Sequence, residues 1–228
     1  SESIVDVYWS FYPSVTISLA RLSYQSIGTG LFVVEGYDVE DAFTSTGSSW
    51  IVVSGNWGIL SNKLSGSNLT NYGKIVSSDS YTDDSWFRVT IQTITGSPSY
   101  SSFIYYANAD ASNCYEVRIT GSYGGAYVDL QLIKWVSGVP TTLSSVNKCI
   151  RWLNGDSYYL EVWSTGSYHR AKIWDTTGSK WPGWQVIYYD VSYTSGKCGF
   201  MVTGSYVLWD DFKMWTRPIA YVEFSDCA

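Results

Sequence analysis

The run GYDVEDAFTSTGSSWIVVSGNWGILSNKL, residues 36–64, decides how the rest of the chain is read. It opens acidic, with Asp38, Glu40 and Asp41, and leads into Phe43. Trp50 to Val53 and Trp57 to Leu60 are short apolar runs separated by Gly55-Asn56, and Asn62 turns the chain again. Apolar runs set apart by Gly/Asn signals predict paired strands. If strands begin here, the globular domain spans residues 36–228, and residues 1–35 form a separate extended tail.

Working outward toward the C-terminus, the same period-two pattern recurs. Phe87, Val89 and Ile91 alternate with Arg88, Thr90 and Gln92. Tyr115, Val117 and Ile119 alternate with Glu116 and Arg118, and Leu160 and Val162 with Glu161 and Trp163. Ala171 and Ile173 alternate with Arg170, Lys172 and Trp174. Alternation of this kind marks strands with one buried face. Roughly a dozen such strands at 8–12-residue spacing predict an all-β antiparallel sandwich. Gly66 to Asn71 reads as a loop, and its Asn68-Leu69-Thr70 sequon would accept an N-glycan in a secreted protein.

Toward the N-terminus, Val5, Val7, Trp9 and Phe11, and after Pro13 Val15, Ile17 and Leu19, keep one apolar phase. Residues 4–19 would extend roughly 50 Å at about 3.3 Å per residue. That exceeds an ordinary strand and predicts an extended β segment whose apolar face needs a groove. Ser26 to Gly30 is a joint between this segment and the domain.

Composition narrows the partners. The chain has 228 residues, 45% hydrophobic and 18% aromatic, so core material is ample for one domain. A net charge of −6 argues against nucleic acid, which needs clustered Lys and Arg. No apolar run approaches the roughly 18 residues of a membrane span. Ser1 opens without a basic and apolar leader, consistent with a signal peptide already removed. Cys114, Cys149, Cys198 and Cys227 lack C-x-x-C spacing, which favours disulfides and an extracellular setting. Three connectivities are open, with 114–149 and 198–227 preferred.

Three later runs sharpen the fold: FIYYANADASNCYEVRI (103–119), GDSYYLEVWSTGSYHRAKIWD (155–175) and GKCGFMVTGSYVLWDDFKMW (196–215). Their succession, closed by Trp209-Asp210-Asp211-Phe212, resembles concanavalin A-like (laminin G-like) jelly-roll domains over residues 36–216. The resemblance implies a jelly-roll sandwich in which Glu40 or Asp41 and Asp210 or Asp211 would share a structural calcium. Polysaccharide-cleaving enzymes of this fold carry E-x-D-x-x-E along one strand. Here Glu35, Asp38 and Glu40 have the wrong order. Glu116 and Glu161 are expected on solvated strand faces, partnered by Arg118, Arg170 or Lys172. His169, the single histidine, is expected exposed. Twelve Trp and twenty Tyr exceed the needs of one core, and Trp181 and Trp184 in an apparent loop would suit a sugar face.

The resulting expectation is a non-enzymatic extracellular subunit. Val5, Val7, Trp9, Phe11, Val15, Ile17 and Leu19 would insert into a neighbouring copy and build a head-to-tail filament, a layout that resembles archaeal thread and bundling-pilus subunits. The alternative is a secreted lectin-like carbohydrate-binding module with glycans as partners, and the second alternative is a polysaccharide-cleaving enzyme.

Overall fold

The computed structural model describes residues 31–33, 39–43, 49–82, 85–93, 98–121, 127–151, 153, 155–165, 167–177, 183–216 and 221–223. Among them there are strands and no helix. In chain order the strands are β1 (Leu31–Val33), β2 (Val39–Asp41), β3 (Trp50–Ser54), β4 (Asn56–Leu60), β5 (Lys63–Ser77), β6 (Ser85–Thr93), β7 (Pro98–Ala107) and β8 (Cys114–Thr120). There follow β9 (Tyr127–Val136), β10 (Val139–Arg151), β11 (Ser157–Ser164), β12 (Tyr168–Asp175), β13 (Val186–Tyr189), β14 (Lys197–Thr216) and β15 (Tyr221–Glu223). The chain divides into two compact units. Val33–Tyr221 holds the sandwich; the other is Ser1–Phe32 with Val222–Ala228, of which Leu31, Phe32, Val222 and Glu223 are described.

The sandwich consists of two antiparallel sheets that share two long strands. One sheet runs β10-β9-β8-β7, then the first part of β14, the last part of β5, and β3. The other runs β13-β12-β11-β6, then the last part of β14, which is flanked by β2 and the first part of β5 with β4. β14 leaves β7 at Gly204 and takes up β6 from Val207. Gly204 has φ +89°, a conformation that disfavours any side chain, so the corner between sheets falls at a glycine.

The opening stretch makes the same corner. The sequence predicts that Trp50–Val53 and Trp57–Leu60 pair with each other, and they do not: β3 pairs with the end of β5 and β4 with its beginning. Gly55, at φ +84°, passes the chain from one sheet to the other. The tight hairpin is the next one, β4–β5, where Ser61 and Asn62 both adopt positive φ (53° and 58°), the geometry of a two-residue type I′ turn. Gly66 to Asn71, read as a loop, is the middle of β5, and Asn68 lies opposite Gly204 in the ladder.

The predicted alternation holds. Phe87, Val89, Ile91, Tyr115, Val117, Ile119, Leu160, Val162, Ala171 and Ile173 all fill the space between the sheets. Rings meet across it, with Phe87 and Phe103 centroids 5.0 Å apart and Phe103 and Phe212 6.1 Å apart.

His169 is a correction. Expected exposed, it is fully buried, because it shares the inward phase of Ala171 and Ile173. Its Nε2–H donates to the Asp190 carbonyl (2.9 Å), while Tyr105 and Ser164 hydroxyls donate to Nδ1 at 3.2 and 3.0 Å. The Tyr115 ring lies 4.1 Å away and its hydroxyl donates to Asp190, which also pairs with Lys134 (2.7 Å). Against the upward push of burial, hydrogen bonds from Lys134, Tyr115 and Ser192 hold the Asp190 carboxyl far below the usual range. Burial holds the imidazole below its ordinary value, against the carbonyl and charge of Asp190.

Two outcomes are expected. At Gly199 a Cβ would lie 2.0 Å from the Ile75 carbonyl oxygen, backbone that the β5–β14 ladder fixes. Gly199→Ala should therefore lower Tm by many degrees in a thermal melt, and an unchanged Tm would refute this account of the shared strands. For His169, the unfolded chain protonates first, near pH 6.5, so stability is complete above that value and declines as pH falls below it. Urea titrations at pH 7.5 and pH 5 should show wild type losing more stability than His169→Gln; equal losses would remove His169 as the cause.

Candidate functional site

The outward faces of β6, β11 and β12 build a regular lattice. Because Glu161 sits directly opposite Arg88 on one neighbour and Lys172 on the other, a carboxylate is straddled by two cations. Both contacts form: Arg88 reaches Glu161 Oε2 at 3.2 Å and Lys172 Nζ lies 3.3 Å from Oε1. Glu161 has 0% exposure. Burial pushes its carboxyl up, while Lys172 and Arg88 pull it down.

The rows on either side are aromatic. On one side, Trp86, Trp163 and Arg170 stand in register, with the two indoles stacked at 5.8 Å and 17°. On the other, Thr90, Tyr159 and Trp174 stand in register, with the two rings 5.4 Å apart. Trp184 arrives from the loop before β13 and joins the rows. Its ring lies 6.0 Å from Trp163, 4.6 Å from Lys172 Nζ and 5.6 Å from the Arg170 guanidinium. The next residue pins it, since Gln185 bonds the backbone of Ile173 through both its side-chain oxygen and nitrogen (2.8 and 3.2 Å).

Arg170 is the unusual member. Its guanidinium lies 4.0 Å from the Trp163 ring, 4.9 Å from Tyr168 and 5.6 Å from Trp184. Its Nε is buried and has no hydrogen-bond partner among the described residues. Such groups are rare inside proteins and mark places where a further partner would fit. Trp86, Glu161, Lys172 and Trp174 form a buried floor, while Trp163, Arg170 and Trp184 are half-buried and Tyr168 is 38% exposed.

The first sheet's outer face carries a superficially similar group with the opposite character. Glu116, also at 0% exposure, accepts from Arg118 Nε and Nη2 (both 2.7 Å), Ser102 Oγ (2.5 Å) and Trp135 Nε1 (2.6 Å). Tyr72, Tyr100 and Trp135 surround Arg118 at 5.8, 4.5 and 6.0 Å. Every oxygen is satisfied, so this cluster is complete as it stands. An open cleft of about 380 Å³, with Tyr106, Asn108, Asn113, Tyr193 and Lys197 in its lining, is similarly committed. Asn108 and Asn113 hold backbone amides of Asn113 and Ser137, and Lys197 holds the Ser77 carbonyl.

The other residues singled out from sequence are distributed as follows. Trp184 joins the lattice; Trp181, Glu35, Asp38, Cys227 and the run Val5, Val7, Trp9, Phe11, Val15, Ile17 and Leu19 lie outside the described residues. Of the acids proposed for calcium, Asp41 accepts from the Phe43 amide (2.7 Å) and Trp50 Nε1 (2.6 Å), Asp210 pairs with Lys63 (2.5 Å), and Asp211 with Lys213 (3.1 Å). Glu40 is placed opposite Lys213 in the β2–β14 ladder.

The 114–149 disulfide is corrected: Cys114, Cys149 and Cys198 are free thiols. Cys114 lies opposite Trp135, whereas Cys149 Sγ donates to the Val128 carbonyl, seven residues away along β9. That is about 23 Å of strand, against the roughly 4–7 Å between Cα atoms that a disulfide spans. Burial pushes the Cys149 and Cys198 thiols up to about 11 and about 12, so neither is a reactive thiolate.

No protein-family model and no curated protein matches the chain. Solved structures do. The carbohydrate-binding module CBM66 from Bacillus subtilis aligns at TM-score 0.62 and 16% identity, over 75% of this chain and 98% of that one. A Bacillus licheniformis β-glucanase aligns at 0.58 and 14%, over 80% and 99%. The exoplasmic/lumenal domain of VIP36, in a Ca²⁺- and mannose-bound form, aligns at 0.59 and 10%, over 83% and 97%. Among the described residues no group of three or more His, Cys, Asp or Glu is placed to hold a metal. The expectation of a filament subunit is overturned: these similar structures are a carbohydrate-binding module, a β-glucanase and a mannose-bound lumenal domain, and nothing among the described residues supports polymerisation. The fold is the concanavalin A-like jelly roll that the sequence resemblance implied.

Proposed function

We propose that this protein is a non-catalytic carbohydrate-binding domain, with the β6–β11–β12 face as its binding surface. The observation that carries the proposal is the rim of half-buried Trp163, Trp184 and Arg170 with exposed Tyr168, fixed on a floor where buried Glu161 and Lys172 are ion-paired together with half-buried Arg88. Flat rings offer apolar area to the C–H face of a sugar, and planar polar groups between them bond its hydroxyls. The carbohydrate ligands of structures with this fold add support.

Geometry separates the one carboxylate pair that the strand pattern offered. Glycosidases need two carboxyls about 5–5.5 Å apart, or about 6.5–9.5 Å for inversion. Glu116 and Glu161 point outward from different sheets, and packed sheets are already about 10 Å apart. Titration calorimetry against a panel of soluble polysaccharides should find a ligand. Trp184→Ala and Trp163→Ala should weaken binding at least tenfold, with the circular dichroism spectrum retained. Undiminished binding by both variants would sink the assignment of this face, and release of new reducing ends by the wild type would replace the proposal with the enzyme reading.

Calcium is not required by this proposal. A metal at Asp41, Asp210 and Asp211 would have to displace Trp50 Nε1, Lys63 and Lys213. Excess calcium or chelator should leave Tm unchanged, because a ligand that binds only the native state raises it. A calcium-dependent rise would reinstate a structural site.

A further inference from the structure

We infer that the glycan bound on the β6–β11–β12 face is acidic, its sugars bearing carboxylate or sulfate groups, one of which meets Arg170. The inference rests on the carbohydrate-binding reading and specifies its ligand class.

The outward positions of the three strands are read directly from the register. Trp86, Arg88, Thr90 and Gln92 stand on β6, Tyr159, Glu161 and Trp163 on β11, and Arg170, Lys172 and Trp174 on β12. These positions hold three cations and one carboxylate. The carboxylate, Glu161, serves Arg88 and Lys172. Arg170 is one row further on, opposite Trp163 and Ile187, and its surroundings are aromatic. The whole chain carries −6, so a local excess of cations at a half-buried rim runs against its overall charge.

A second observation points the same way. Among the described residues Arg170 Nε is buried and makes no hydrogen bond, although the Trp163 and Trp184 rings lie 4.0 and 5.6 Å from the guanidinium. A guanidinium offers its donors in a fixed planar fork that matches a carboxylate or sulfate. Neutral hydroxyls would satisfy such donors without using the charge. Nε itself is sealed from solvent, so an oxyanion would meet the guanidinium through its other nitrogens and use the charge, and the surrounding indoles reduce the water that would otherwise screen the pair. Aromatic rows beside the cation would take the ring faces of the same sugars. Repulsion from the net-negative chain would be offset at this one place, which favours acidic polymers that present their charge in register with the rim.

The test uses the full chain and matched ligands: polygalacturonate with its fully methyl-esterified form, and a sulfated galactan with its desulfated form, at about 20 and 300 mM NaCl. The acidic member of at least one pair should bind at least tenfold more tightly than its neutral partner, and the advantage should shrink as salt rises. The pair showing it tells carboxylate from sulfate. In Arg170→Gln the acidic-to-neutral ratio should fall to near one, with Arg170→Lys intermediate, and thermal melts would confirm that both variants are folded. Equal or tighter binding of the neutral partners, or an unchanged ratio in Arg170→Gln, overturns the inference and leaves carbohydrate binding intact. Failure to bind these ligands and any neutral polysaccharide overturns both.

Discussion

The ladder between β5 and β14 is the constraint on which the rest of the molecule depends. From Gly199 opposite Val76 to Trp209 opposite Leu64, two long strands stay paired while passing from one sheet into the other. Every other described strand of the sandwich takes its place from this pair, directly through β2, β3, β4, β6 and β7 or through strands added outside them. The close approach at Gly199 and the left-handed corner at Gly204 allow the passage without loss of backbone hydrogen bonds over most of its length. The cost is local irregularity, seen as register shifts around Gly204. Bends of this kind are the usual means by which strands turn a sandwich corner.

Both sheets then use their outer faces for a buried glutamate set among indoles and cations, with different outcomes. Glu116 has its arginine on its own strand, two residues on, and takes donors from β7 and β9 as well. Removing it would strand Arg118, a loss on the order of 3–5 kcal/mol for a broken buried pair. Glu161 has its cations on neighbouring strands and holds β6, β11 and β12 together as one plate. The first group closes a surface; the second braces one and leaves polar capacity at its edge.

Much of this architecture was legible in the sequence because period-two alternation is a local signal that burial enforces. Phe87 to Ile91, Tyr115 to Ile119 and Ala171 to Ile173 pointed inward as their phase required. The phase also placed His169 inward, and the expectation of exposure erred by weighing residue type over parity. Which strands would pair was not legible. Gly55-Asn56 looks the same whether it closes a hairpin or turns a corner between sheets, and the Gly, Ser and Asn content of residues 66–71 hid the middle of a long strand. Cysteine number says nothing of distance along β9. For the candidate site, Trp184, Glu161 and Lys172 drew notice from sequence. Arg88 did not, because its place beside Glu161 depends on a β6–β11 register across 73 residues. Only the fold supplies that register.

The aromatic excess also finds its reason in the two-faced use of the sheets. Trp50, Trp57 and Trp209 line the space near the corner with Phe200, while Trp86, Trp163, Trp174 and Trp184 stand outside it on the second sheet. Indoles on an outer face are expensive to leave in water and would be poor choices for simple solvation. Interleaved with guanidinium and ammonium groups they recover part of that cost through ring–cation contacts. The arrangement also stiffens the rim, since moving Trp163 or Arg170 would disturb stacked neighbours above an ion pair sealed from water. A stiff rim loses little further freedom when something binds, which is the main route by which modest contact area yields useful affinity. Arg170 Nε, without a hydrogen-bond partner among the described residues, carries a standing penalty of roughly 1–3 kcal/mol. Because Nε is sealed from solvent, a ligand would meet the guanidinium through its other nitrogens, whose charge the neighbouring rings already shield from much of its water.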